Sequence, residues 1–146
     1  MALNRRKIVI SENKRPFGSN TKECVEKIVR LHADIMAGMN ADGPVVFSMY
    51  SDSALQSICD RADMFDNAID YAAFALDYIN SFHPFVDGNK RVSLAVALKI
   101  LEDGGYELEE NKDLQTFILM IASGMLDRDR IARWLKDHVQ IIHRVS

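Results

Sequence analysis

The chain is predicted to be all-α: a compact bundle of about five or six helices carrying one short β-hairpin flap. Three observations predict this. Apolar residues recur at three-and-four spacing along most of the chain, which is the period of a helix with one buried face. Only one stretch, residues 41–52, combines a turn signal with β-favouring residues. At 146 residues with 48% apolar content, the chain is large enough to bury a single core without metal or disulfide support.

The elements follow in chain order. Residues 1–20 form a basic arm with Arg5, Arg6, Lys7, Lys14 and Arg15, broken by Pro16 and Gly18. It reads as a solvated tail, set apart from a domain spanning residues 21–146. From Thr21, a plausible cap, Val25, Ile28, Val29, Leu31, His32 and Ile35 mark an amphipathic helix that Gly38 and Asn40 end. Asp42-Gly43-Pro44 is a turn signal, and Val45, Val46 and Phe47 favour extended backbone, so this stretch is the predicted flap. A long helix is predicted from about Arg61 to Ser81, with Phe65, Ala68, Ile69, Ala72, Ala73, Leu76 and Ile79 on its buried stripe. Pro84 stops it, because the residue before a proline is pushed out of helical geometry. The next helix starts near Asn89 and runs to Gly104-Gly105. Asp113 is placed as the cap of a helix through Ile121, and Asp127 as the cap of a last one carrying Ile131, Trp134, Leu135 and Val139, with Trp134 a core anchor.

Bulk properties exclude several functions. A net charge of −3 argues against general nucleic-acid binding, which needs a basic face. No run approaches the roughly 20 apolar residues of a membrane span, and no apolar core of a signal peptide is visible. Cys24 and Cys59 are too few for a disulfide framework, so reduced thiols in a cytoplasmic protein are expected. His32, His138 and His143 have no carboxylate or cysteine at ligand spacing and read as core or surface histidines rather than metal ligands.

Residues 83–91, His-Pro-Phe-Val-Asp-Gly-Asn-Lys-Arg, carry the chemistry. His83 falls at a helix end, facing a loop, where an imidazole can take up a proton near neutral pH. Asp87 offers the hard oxygen that Mg²⁺ prefers. Gly88 lets backbone approach a phosphate closely, and the N–H groups that open the following helix have no partner within it and favour an anion. Arg91 can grip a phosphate through two parallel donors. Singly, each residue has an ordinary structural use: a helix-end cap, a turn acid, a solvated cation. As an ordered set they match what moving a phosphate-bearing group onto a hydroxyl requires, namely positioning and charge stabilisation.

The nonapeptide resembles the signature of the Fic/Doc superfamily. Fic proteins carry His-Pro-Phe-x-Asp/Glu-Gly-Asn-Gly-Arg, and Doc-type (death on curing) toxins resemble His-x-Phe-x-Asp-Ala-Asn-Lys-Arg. Pro84 and Gly88 match the Fic form, whereas Lys90 matches Doc; Leu94 stands where many Fic proteins have a further arginine. The balance leans to the Doc type. On matching positions the resemblance implies that His83 is the proton acceptor and that Asp87 holds Mg²⁺ against the phosphates of ATP. Gly88, Asn89, Lys90 and Arg91 would bind phosphate, and Phe85 would anchor the loop in the core. It also implies that the flap residues Val45, Val46 and Phe47 align the target by strand-like pairing.

Three functions are therefore expected in order. The first is Doc-like phosphorylation of a hydroxyl side chain on a target protein such as a translation factor, by the toxin of a toxin-antitoxin pair. The second is Fic-type transfer of AMP, and the third an inactive module that only binds a partner. Many Fic proteins carry an inhibitory helix resembling Ser/Thr-x-x-x-Glu-Gly/Asn; here Ser19 and Glu23 fit but Cys24 does not, so inhibition is expected from a separate antitoxin. Neither nucleic acid nor membrane is an expected partner.

Overall fold

A computed structural model describes residues 20–39 and 49–142. The basic arm and the flap residues Val45, Val46 and Phe47 lie outside the described residues. Most of the described chain is helical, as the periodicity predicts. Helix α1 spans Thr21–Met39, α2 Asp52–Asp60, α3 Ala68–Phe82, α4 Asn89–Asp103, α5 Lys112–Ala122 and α6 Arg128–His138, with a 3₁₀ turn at Arg61–Met64 between α2 and α3.

Helices α3 and α4, the two that flank the motif, pack most extensively against each other, and α6 packs on α3. Helix α3 is the centre of the core. Tyr71, Ala72, Ala73, Phe74, Ala75, Leu76 and Ile79 are all buried on it, and a helix apolar nearly all round must run through the interior. Tyr71 keeps its hydroxyl satisfied by donating to the carbonyl of Ile58 at 2.8 Å. At the far end of α4, Gly104 is buried beside the first residue of α3: a Cβ there would collide with that of Ala68, so only glycine lets the two helices close up.

Several boundaries differ from expectation. The predicted helix from Arg61 begins instead at Ala68, because Asn67 accepts from the Asp70 N–H at 2.9 Å and caps it there. Helix α2 carries no prediction at all. Ser51 caps it through the Ala54 N–H, and Leu55, Ile58 and Cys59 form its buried face. Asn20 rather than Thr21 caps α1, accepting from Glu23 N–H at 2.9 Å; the Thr21 hydroxyl reaches across to Asp60. Asn111 rather than Asp113 caps α5. In each case the residue whose side chain can turn back onto the next free N–H wins, and sequence alone offers two polar candidates side by side.

The sheet present is not the predicted flap. Strand β1, Tyr106–Leu108, pairs antiparallel with β2, Val139–Ile141, which directly follows α6. Val139 thus belongs to a strand rather than to the last helix. Two strands of three residues are too short for an alternation signal, and their pairing is a long-range event. Trp134 is half-buried, sandwiched between Phe117 at 3.8 Å and His138 at 3.7 Å, both nearly parallel.

The two cysteines also depart from expectation. Cys24 of α1 and Cys59 of α2 form a disulfide, both fully buried. Counting cysteines excluded a framework of bridges, but not a single bond between helices that packing brings together.

Candidate active site

The loop between α3 and α4 is fixed residue by residue. Helix α3 ends at Phe82, and His83 follows in left-handed geometry at φ 48°, ψ 64°. His83 is the one non-glycine residue with positive φ among the described residues. Its N–H still closes the helix onto Ile79 O at 3.0 Å, while its side chain is exposed. Such a conformation is uncommon outside glycine, and residues held in it tend to cluster at functional sites. Here it turns the chain sharply out of α3 and leaves the imidazole open to solvent.

Phe85, 3% exposed, is the loop's apolar foot. Its N–H donates to Asn89 Oδ1 at 3.0 Å and its carbonyl accepts from Asn89 Nδ2 at 2.8 Å. It forms an antiparallel bridge with Tyr50, and beside that bridge Ser51 N–H donates to Pro84 O at 2.8 Å. The described end of the predicted flap stretch, at Tyr50 and Ser51, is therefore stitched to the motif by backbone. Asn89 is nearly buried, and its amide latches the loop; only one Nδ2 hydrogen is left over for anything else. What it presents at the start of α4 is its backbone N–H.

Gly88 stands immediately before α4 with φ 82°. A Cβ on it would lie 2.7 Å from Met36 Sδ and 3.1 Å from His32 Nε2, so both conformation and space require glycine. Gly88→Ala is expected to destabilise the fold by about 1–3 kcal/mol through left-handed strain and overpacking. Urea denaturation measures this, and an unchanged midpoint would show that Met36 swings aside at no cost.

The first intrahelical bond of α4 runs from Val92 N–H to Gly88 O at 3.0 Å. The N–H groups of Asn89, Lys90 and Arg91 precede it and have no partner along the helix, which makes this end suited to an anion. Gly88 N–H is taken only by the carboxylate before it, Asp87 Oδ1, at 2.7 Å. His83, Asp87, Gly88, Asn89, Lys90 and Arg91 line one cleft of about 690 Å³, with Val86, Leu119 and Ser123 on its rim. Lys90 and Arg91 are exposed, so their charges reach the opening. The loop thus brings together the His83 imidazole, the Asp87 carboxylate and the two cations.

Asp87 is exposed, with one oxygen on Gly88 N–H and the other turned to no protein donor among the described residues. A carboxylate in this cleft with one oxygen open is the kind of hard donor that suits Mg²⁺, which takes one or two carboxylates and completes its shell with phosphate and water. Among the described residues no group of three or more His, Cys, Asp or Glu side chains could hold a metal.

A family model described as the Fic/DOC family matches residues 23–101, more than half of the chain and all of the motif. The chain belongs to the Fic/DOC family. Members of this family are in general transferase enzymes, and membership suggests transferase activity of the Fic kind. No curated protein matches the chain.

Three residues outside the motif hold it in this Fic/DOC domain. Asn80, buried on α3, donates to Ser93 Oγ at 2.9 Å, and Ser93 donates on to Lys90 O at 2.7 Å. This relay ties the last turn of α3 to the first turn of α4. The third is His32 of α1, only 1% exposed, whose ring stacks on Phe85 at 3.8 Å and 6°. No metal is needed to account for it: it is a core histidine whose polar edge meets the motif loop. Its apolar-stripe position was legible in the sequence, but its hydrogen-bond partner, the Asp87 carbonyl 55 residues away, was not.

Proposed function

We propose that the protein transfers the terminal phosphate of ATP to a hydroxyl side chain of a target protein, in the manner of Doc-type toxins. The observation that carries this is the exposed His83 imidazole in the same cleft as Asp87 and the open N-terminus of α4. The target's hydroxyl oxygen attacks the terminal phosphorus, its proton passes to His83, the new P–O bond forms, and the bond to the bridging oxygen breaks to release ADP. Lys90, Arg91 and the α4 amides hold the phosphate oxygens in line and offset their charge, the main requirement of such chemistry. Asp87 would hold Mg²⁺, which supplies further neutralisation of the phosphate chain.

Lys90 supports the Doc-like direction, since a cation where Fic proteins have glycine changes which phosphate the cradle favours. Pro84 and Gly88 support the second reading, transfer of AMP with loss of pyrophosphate. Incubation with ATP labelled at the terminal or the innermost phosphate, followed by mass spectrometry of modified protein, separates them. Gain of a phosphate is the expected result; gain of adenylate selects the second reading, and no gain of either with a functional ATP-binding cleft selects a binding module. The partners in this reading are a target such as a translation factor and a separate antitoxin. A cytoplasmic location suits ATP, and the Cys24–Cys59 bond counts against it, because such bonds persist mainly in oxidising compartments. No described helix is long and apolar enough to cross a membrane.

A further inference from the structure

We infer that His32 is a positioning residue for the cleft: through one hydrogen bond and one ring stack from α1, it sets where the Asp87 carboxylate stands. This rests on the reading of Asp87 as the group that holds Mg²⁺ and the nucleotide, and it adds a residue that lies 51 positions before the motif begins.

His32 Nε2 lies 2.6 Å from the Asp87 carbonyl oxygen. A carbonyl only accepts, so Nε2 is the donor and carries the hydrogen. The face of the same ring covers Phe85, and its edge closes the space beneath Gly88, where not even a methyl group would fit. One buried side chain therefore meets three of the four residues between Phe85 and Gly88. The other contacts of the loop act elsewhere: Asn89 holds Phe85 N–H and C=O, and Ser51 holds Pro84 O. Nothing else among the described residues bonds the Asp87 carbonyl. That peptide group is the hinge between the exposed carboxylate and the left-handed Gly88. If it rotates, Gly88 N–H turns away from Asp87 Oδ1, and the carboxylate loses the one protein donor that fixes its direction. A buried ring stacked on a packed phenylalanine has little freedom, so the donor is held in place before any ligand arrives, the condition for a site that binds without reorganising.

Two variants separate the hydrogen bond from the packing. His32→Phe keeps an aromatic face against Phe85 and removes the donor; His32→Gln removes the ring and offers an N–H at similar reach. The first measurement is hydrogen–deuterium exchange of the free full chain over residues 84–91, which needs no nucleotide. His32→Phe should raise exchange of the Phe85 and Gly88 amides, the bonded ones in this segment, about tenfold, the equilibrium worth of one hydrogen bond, with the α6 core unchanged, and His32→Gln should restore most of the protection. The second is calorimetric titration with ATP and Mg²⁺. His32→Phe should raise the Mg²⁺ concentration for half-saturation about tenfold, and His32→Gln should stay within about threefold of the parent chain. Unchanged exchange in a folded His32→Phe chain would overturn the inference. Should that variant not fold, exchange in His32→Gln as fast as in a fully unprotected loop would do the same. A parent chain that binds no ATP with Mg²⁺ defeats the nucleotide reading instead, while the exchange comparison still decides the role of His32.

Discussion

Replacing His83 by asparagine is expected to lower the transfer rate by about 10²–10⁴-fold, the usual worth of a positioned general base, with little change in affinity for ATP. Asparagine is the informative substitute because His83 sits at φ 48°. Asn, Asp and His are the non-glycine residues best tolerated in that conformation, so alanine would weaken the loop's backbone preference, and a loss of activity could then reflect a displaced loop. Asparagine tolerates this geometry and cannot accept the proton. The side chain is exposed and its N–H bond to Ile79 is made by backbone, so the melting temperature should be unchanged. Measurement of the transfer rate at saturating ATP, beside ATP affinity by calorimetry, checks both halves. A variant as active as the parent would remove His83 from the chemistry.

Removing the Cys24–Cys59 bond is expected to cost about 4 kcal/mol of stability. The bond closes a loop with sequence separation 35, and loop-closure entropy places that between roughly 3 kcal/mol for 15 residues and roughly 4.7 kcal/mol for 100. In a domain of this size the melting temperature should fall by about 8–16 °C. Cys24→Ala with Cys59→Ala tests the bond without burying a new hydroxyl. The consequence extends to the site. The bond joins α1, which supplies His32, to α2, whose cap Ser51 is tied to Pro84, so it links the two supports on either side of the motif loop. Melting curves with and without reductant give the magnitude. Trapping of free thiols during isolation from cells tells whether the bond exists there; two trapped thiols and no reductant effect would return the cysteines to the state that their number predicts.

Much of the helical framework was readable because its signals are local. The ends of α3 and α4 at Pro84, Asn89 and Gly104 follow from the backbone restrictions of proline and glycine, which need no tertiary context. Helix α2 was missed because nine residues give too few turns for a period to stand out, and half of its evidence is the packing of Leu55, Ile58 and Cys59 against α1 and α3. The strands β1 and β2 escaped for the same reason. Within the site, the motif residues were named from their order alone, and the loop places them in one cleft. Asn89 differs in kind: the family resemblance implied a phosphate ligand, and the bonds of its buried amide to the Phe85 backbone were not foreseen, since they satisfy groups that only folding buries.

The sequence by itself determined an all-α chain and a helix–loop–helix carrying the family's nonapeptide, since periodicity, proline, glycine and residue order are properties of neighbouring positions. Only the tertiary structure decided the pairing of Cys24 with Cys59, the β1–β2 sheet and the support of Asp87 by His32. Each of these joins residues at least 31 positions apart, and such contacts form where packing brings two surfaces together, for which no local pattern is required.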